Sequence, residues 1–426
     1  MVKLDNVRTY ILIIALGAFC YSGWELFRLA APATIKVGIL FSRTGTMAFT
    51  EAPMINITLL AIREINAQGG LLGQQIEPVI VDGRSDWQTF ATQTEKLLTE
   101  DKVKAIFGCW LSSEEKAVRP LVEKYNNLLF YPAYYEGVEA SAHVIYTGGA
   151  PNQLALPGPV WMMRTFGKRV FLLGTESIFP RVVYAMLKQI LPQLGGEIVG
   201  EEYLLVGNED IAQALEKIKK TKPDFIVNSI GGSVNIPFYK GLKQLSDKTG
   251  KVIPSLTYSL QSPDYPFIGL ENLQGCYAIS NYFDTIQNDE NRRFLQKLHQ
   301  TSSAFSASSQ MHAAYLGVHL WAEGVRKAQS LEHAQIVKAL HGISFKAAQG
   351  ILNVGWTNTL LYQPAYIAQI TKEGKDEIIW SAGFPIEPIP YPSTMFLASL
   401  IDIWPSAHWD SYINNLYTRW GNKWAK

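Results

Sequence analysis

The chain has 426 residues, 47% of them hydrophobic, and a formal net charge of +1. That length suffices for two or three domains with full cores, and the near-neutral charge without a dense Lys/Arg face argues against nucleic acid as a partner. Aromatic residues make up 12% of the chain, and some of them are expected to line a ligand site.

The N-terminus reads as a targeting segment. Lys3 and Arg8 precede an apolar stretch over 10–24, followed by Glu25 and Arg28. The stretch is shorter than the roughly 20 residues of a full membrane span, although 26–32 would extend it. A secretory signal cut near 31–33 and an uncleaved signal anchor (a membrane tether through residues 10–30) both fit. Cys20 suggests a lipoprotein, but Phe19 stands where a small residue is required. All these readings export the residues from about 34 onward. Cys109 and Cys276 are able to form one disulfide in an oxidising compartment, but read better as small buried residues.

From Ile35 onward, strands and helices alternate. A strand over 35–41 leads to the hydroxyl- and glycine-rich loop Ser42-Arg43-Thr44-Gly45-Thr46. A helix over 53–66 is stopped by Gly69-Gly70. Next come a strand over 76–81, with Asp82 at its carboxyl end, and a helix over 87–100. Residues 104–137 (KAIFGCWLSSEEKAVRPLVEKYNNLLFYPAYYEG) then make one βαβ unit. Its strand 105–107 is broken by Gly108. Ser112 with Glu115 three residues later has capping-box spacing, and the strand 128–131 closes at Pro132. The helix start should sit at the carboxyl edge of a parallel sheet, where free N–H groups, hydroxyls and aromatic faces make a pocket for a small hydrogen-bonding solute. A short strand over 143–146 and a helix beginning at Pro151 end this first round.

A second round follows: strands over 170–173, 197–203, 225–229 and 253–258 alternate with helices over 180–194, 210–220 and 237–248. Hydroxyls and glycines again stand at strand ends (Thr175, Ser177, Ser229, Gly231–Ser233). A strand over 275–280 is expected to pass back to the first domain. The helix over 309–329 has apolar residues at helical spacing and reads as packing. Another helix covers 336–340, and a hairpin over 366–380 turns at Glu373-Gly374. Beyond Gly383 the chain is proline-rich and ends in an aromatic tail. The fold class is therefore α/β, two doubly wound Rossmann-like lobes.

Catalytic motifs are missing from the sequence. There is no Walker A loop, no complete dinucleotide fingerprint and no G-x-S-x-G elbow. The seven His are scattered, and His312 and His319 gain no further ligand at metal spacing, so neither a metal nor a cofactor is expected. Cys109 follows a strand, but no His lies near it in sequence, and it reads as structural. Asp82, Asp86, Glu136 and Glu176 offer carboxylates without a defined pairing. Binding is favoured over catalysis.

Several segments resemble one family. Residues 35–45 (IKVGILFSRTG), 64–73 (EINAQGGLLG) and 81–90 (VDGRSDWQTF) are similar to type I periplasmic solute-binding proteins of branched-chain amino-acid transporters. The closer resemblance is to their urea and short-chain-amide branch, which includes an amide-sensing regulator of amidase operons. It rests on 107–110 (FGCW), 128–137 (LLFYPAYYEG), 146–153 (YTGGAPNQ), 172–181 (LLGTESIFPR) and 385–392.

The resemblance implies a type I periplasmic-binding-protein fold, two lobes joined by a hinge. Its expected divisions are 34–155 plus about 281–330 for lobe 1, 156–280 plus about 331–384 for lobe 2, and a tail over 385–426. It implies an extracytoplasmic, non-enzymatic protein that hands urea or a short-chain amide to an ABC transporter permease, or else a membrane-anchored sensing domain reporting to a kinase or regulator. It also implies ligand contacts at Trp110, Ser112, Tyr131, Ala133 and Tyr134 in the first lobe and Phe179, Ser233 and Asn235 in the second. The chain departs from that pattern. Ser233 stands where urea-binding relatives carry an acid, and the glutamates they show near 259–263 are missing. Ser177 and Phe179 replace tyrosines of the amide sensor, and Ala133 replaces a hydroxyl. With fewer polar partners than urea's two NH₂ groups require, a different small amide or a more apolar ligand is expected.

Overall fold

The computed structural model describes residues 34–301, 306–356 and 358–390. The expected leader over 1–33 and the aromatic tail beyond 390 lie outside the described residues.

Strand β1 (Ile35–Phe41) reads IKVGILF because both of its faces are covered. Alternate side chains go to opposite faces: Ile39 and Phe41 join one buried cluster and Leu40 another. Helix α1 (Ala48–Ala67) begins five residues before Pro53, the expected start, because Met47 N–H is anchored on Ser85 Oγ at 2.9 Å. The chain continues through β2 (Ile76–Asp82), α2 (Trp87–Thr99), β3 (Ile106–Gly108), α3 (Ser112–Lys124), β4 (Leu129–Tyr131) and β5 (Val144–Tyr146). These strands form one parallel sheet in the order β2-β1-β3-β4-β5.

After a run of turns, α4 (Pro157–Phe166) starts later than expected. The Gln153 amide is held there by Leu361 and Ile386 carbonyls, both at 2.8 Å. Then follow β6 (Arg169–Thr175), α5 (Ile178–Gln193), β7 (Glu197–Leu204), α6 (Ala212–Thr221), β8 (Phe225–Ser229), α7 (Asn235–Thr249), β9 (Ser255–Thr257), α8 (Tyr265–Ile268) and β10 (Cys276–Ser280). Helices α9 (Asp289–Thr301), α10 (Ser309–Ala328) and α11 (His333–Leu340) precede a small antiparallel sheet, β11 (Ser344–Ala347), β12 (Gly350–Val354) and β13 (Leu361–Tyr362). The hairpin β14 (Tyr366–Ile370) and β15 (Asp376–Ser381) completes the second sheet, in the order β15-β14-β10-β9-β8-β6-β7.

Two expectations are corrected. Strand β10 does not return to the first lobe; it pairs in parallel with β9 and antiparallel with β14. Residues 331–384 do not all belong to the second lobe. Ile336, Leu340, Leu352, Val354 and Leu361 pack into the first-lobe cluster beside Trp321 of α10 and Phe107 of β3. Only the hairpin after them joins the second sheet.

Three crossings between the lobes are tied by side-chain amides. Gln363 Nε2 donates to the Thr147 and Gly148 carbonyls, both at 3.1 Å, and Asn281 Nδ2 donates to the Pro364 carbonyl at 2.6 Å. Gly148 is required here, since an added Cβ would lie 1.8 Å from the Ala133 carbonyl oxygen.

Candidate functional site

In each sheet the strand order reverses beside its first strand, β1 in one lobe and β6 in the other. Ligands of open α/β sheets bind outside the carboxyl ends of the strands at such points. The ends of β3, β6 and β8 and the loops after them accordingly carry Trp110–Ser112, then Thr175, Ser177 and Phe179, then Ser229 and Gly231 to one cavity of about 60 Å³ between the lobes.

Aromatic rings wall this cavity. Trp110 and Tyr134 come from the first lobe, and Phe179 and Tyr258 from the second, the latter pair edge to face at 6.0 Å. The Tyr134 and Tyr258 hydroxyls are already engaged. Ser280 Oγ donates to the Tyr282 carbonyl at 2.8 Å, so Tyr134 O–H donates to Ser280 at 2.8 Å, while accepting Gln261 Nε2–H at 3.0 Å. Tyr258 O–H donates to the Ala155 carbonyl at 2.7 Å. Both present rings, not hydroxyls, to a ligand.

The remaining polar groups have definite polarity. Ser112 Oγ donates to Glu136 Oε2 at 2.7 Å, which leaves its lone pairs to accept. Thr175 Oγ1 accepts Gly231 N–H at 2.8 Å, which leaves its proton to donate. Trp110 Nε1–H is buried without a partner among the described residues. Among the described residues, no charged side chain lines the cavity.

The helix start differs from the expected capping box by one residue. Leu111, in extended conformation, is the N-cap, and Glu114 rather than Glu115 reaches back, accepting Trp110 and Leu111 N–H at 2.8 and 2.9 Å. Ser112 is thereby released to bond Glu136. Behind it lies a buried ionic network: Lys116 Nζ contacts Glu136 at 2.9 Å, Glu139 at 3.1 Å and Glu115 at 3.5 Å. Those carboxylates hold the Lys116 ammonium well above its ordinary range despite burial.

Of the expected ligand residues, the structure brings Trp110, Ser112, Ala133, Tyr134 and Phe179 together. Tyr131 is not among the lining residues. It is buried behind the wall, its hydroxyl donating to the Trp110 carbonyl at 2.9 Å and its ring set edge to face on Tyr146. Ser233 and Asn235 line a neighbouring hollow of about 20 Å³ instead. Asn235 holds its own loop, donating to the Ile230 carbonyl at 2.8 Å. Thr175, Ser229, Tyr258, Ser259 and Gln310 line the cavity without having been expected there. The first two carried a signal, a hydroxyl at the carboxyl end of a strand; Gln310 carried none.

Cys109 and Cys276 are free and buried, so the disulfide alternative does not hold. The Cys109 thiol is pushed well above its ordinary range, first by burial and then by the carboxyls of Glu114, Glu115 and Glu51. Among the described residues, no group of three His, Cys, Asp or Glu is placed to hold a metal ion, and no helix is long and apolar enough to cross a membrane.

The Leu/Ile/Val-binding protein BraC3 of Rhizobium johnstonii is 21% identical over 343 residues, which is 78% of this chain and 90% of that protein. A Pseudomonas aeruginosa protein that binds leucine, isoleucine, valine, threonine and alanine is 25% identical over 214 residues, 49% of this chain; the chain spans only 57% of it. The solute-binding protein of an ABC transporter from Rhodopseudomonas palustris HaA2, solved with p-hydroxybenzoic acid, superposes with a TM-score of 0.77 at 19% identity, covering 85% of this chain and all of that one. A family model described as a periplasmic binding protein domain matches residues 35–396, and the chain belongs to that family.

Proposed function

We propose that this chain is an extracytoplasmic solute-binding protein that closes its lobes on a small neutral, amide-like solute and presents it to an ABC transporter. One observation carries the ligand class: a cavity of about 60 Å³ with aromatic walls and polar donors and acceptors, but no charged lining residue. With ~10–15 Å³ the least space that admits one water, a cavity of this volume suits a solute of few non-hydrogen atoms. Acetamide or butyramide fits that size. A free amino acid would bury an ammonium group with no carboxylate lining its cavity, and an unpaired buried charge is strongly unfavourable. Family membership supports the binding role, and the inaccessible Cys109 thiol supports binding without turnover.

Titration calorimetry with urea, formamide, acetamide, butyramide, leucine and p-hydroxybenzoate tests the proposal. Binding of one or more short amides is expected. A response to leucine or p-hydroxybenzoate with none to any amide refutes the amide reading. Amide hydrolysis that disappears in Cys109→Ala would refute the non-enzymatic one.

A further inference from the structure

Gln310 is the second residue of α10, is 4% exposed and lines the cavity. Its helix start is fixed from both sides. Ser308 Oγ accepts Met311 N–H at 3.1 Å, and Gln261 Oε1 accepts Ser309 N–H. Neighbouring buried amides are engaged: Gln261 Nε2 donates to Tyr134, and Asn235 Nδ2 to its own loop. The Gln310 carboxamide has no hydrogen-bond partner among the described residues. Another polar group lining the same cavity, Trp110 Nε1–H, is buried and unpartnered among the described residues, and a buried donor left unmet is costly.

A carboxamide is its own complement. Its oxygen accepts N–H while its NH₂ donates to C=O, so two amides pair through two hydrogen bonds in one ring. Resting on the amide reading above, we infer that Gln310 determines specificity by pairing both of its hydrogen-bonding atoms with the ligand's own carboxamide, and that Trp110 Nε1–H donates to the same ligand carbonyl. The ligand therefore carries an unsubstituted amide. A tertiary amide or a ketone has no N–H for Gln310 Oε1, and a carboxylate sets a second acceptor against it. Trp110, Ser259 and Gln310 also line an adjoining hollow of about 460 Å³, so the pairing edge stands where the cavity opens.

The test compares four probes of equal size on the full chain by titration calorimetry: butyramide, N,N-dimethylacetamide, 2-pentanone and butyrate. The wild type is expected to bind butyramide about 10- to 100-fold more tightly than N,N-dimethylacetamide, the effect of one lost hydrogen bond and of the Gln310 acceptor it leaves unmet. Gln310→Leu is expected to bind butyramide about 10-fold or more weakly and to lose that preference, with Gln310→Glu retaining the acceptor alone and falling between. Wild-type discrimination is read without any variant, so a folding defect in Gln310→Leu does not blunt the test. If the wild type binds both amides equally, or Gln310→Leu keeps the preference, this inference is overturned while the amide reading stands. If the wild type binds no amide at all, both fall.

Discussion

Glu51 and Glu114 meet carboxyl to carboxyl behind the cavity wall. Glu51 Oε2 accepts Ser42 N–H at 2.6 Å, and Glu114 Oε2 accepts Trp110 and Leu111 N–H at 2.8 and 2.9 Å. The two Oε1 atoms, both buried, find no donor among the described residues. Two buried carboxylates cannot face one another without a proton between them. The nearby titratable groups supply no neutralising charge: Cys109 is a neutral thiol, and Glu115 turns to Lys116 and Arg119. The protonated pair thus fixes the loop that carries Trp110.

A pH dependence follows. Burial pushes Glu114 from 4.5 up to about 7, and Glu51 rises well above its ordinary range. The folded chain then holds protons that the unfolded chain releases near 4.5, so this contribution is full below 4.5, falls as pH rises through about 7 at Glu114 and falls further at higher pH as Glu51 ionises. Other groups titrate in the same interval, so the difference from a variant is decisive. Glu51→Gln supplies a neutral donor in place of the proton. Its melting temperature is expected to exceed that of the wild type at pH 8 and to change less between pH 5 and pH 8. Parallel profiles for the two proteins would rule out the shared proton.

The ionic network beneath Ser112 gives a second prediction. Lys116 is the ammonium facing Glu115, Glu136 and Glu139, all of them buried. Lys116→Met leaves those carboxylates, among the described residues, with Arg119 as their remaining cation, and it touches Glu115 and Glu139 only at 3.7 and 3.6 Å. Removing one partner of a buried ion cluster costs about 3–5 kcal/mol, and a loss of that size is expected in urea unfolding. A loss below about 1 kcal/mol would show that the carboxyls simply take up protons.

These relationships also mark what the sequence can reveal. Strands β1, β3 and β8 were legible because continuous apolar runs mean burial on both faces, and the site loops because hydroxyls and glycines follow strand ends. Tyr131 was misplaced because it is the last residue of its strand. Its side chain falls into the cluster behind the sheet, with Leu129, while Ala133 and Tyr134 beyond it reach the cavity. The Ser112 hydroxyl read as a cap, since nothing local announces a partner 24 residues away at Glu136. Gln310 was hidden for the same reason: α10 shows only its packing face in sequence, and its start meets the cleft through tertiary contacts alone.

Gly231 separates closure from conformational strain. Its φ of −92° suits any residue, and an added Cβ would lie 3.8 Å from Thr175 Oγ1 and 4.0 Å from Trp110 Cζ3, ordinary contact distances. Gly231→Ala is therefore expected to leave ligand affinity within about twofold. Gly231→Val drives a branched side chain against Trp110 across the cleft; overpacking of about 1–3 kcal/mol weakens binding roughly 5- to 150-fold. Equal affinities for the two variants in calorimetry would mean that the lobes close without this contact.

Phe49 of α1 and Phe267 of α8 touch edge to face across the cleft mouth, ring centroids 4.9 Å apart at 85°. They are 39% and 60% exposed, so neither belongs to the core of its own lobe. Such a pair contributes about 0.5–1.5 kcal/mol beyond its buried area. Because the rings come from different lobes, the contact exists only while the lobes are closed, and it stabilises the closed state over the open one without stabilising either lobe. A change confined to one conformer shifts apparent affinity by its differential energy. Phe267→Ala is therefore expected to raise Kd about 2- to 10-fold, chiefly through faster dissociation in stopped-flow measurements, with the melting temperature of the ligand-free protein unchanged. A lowered ligand-free melting temperature with unaltered Kd would instead assign Phe267 to the stability of its own lobe.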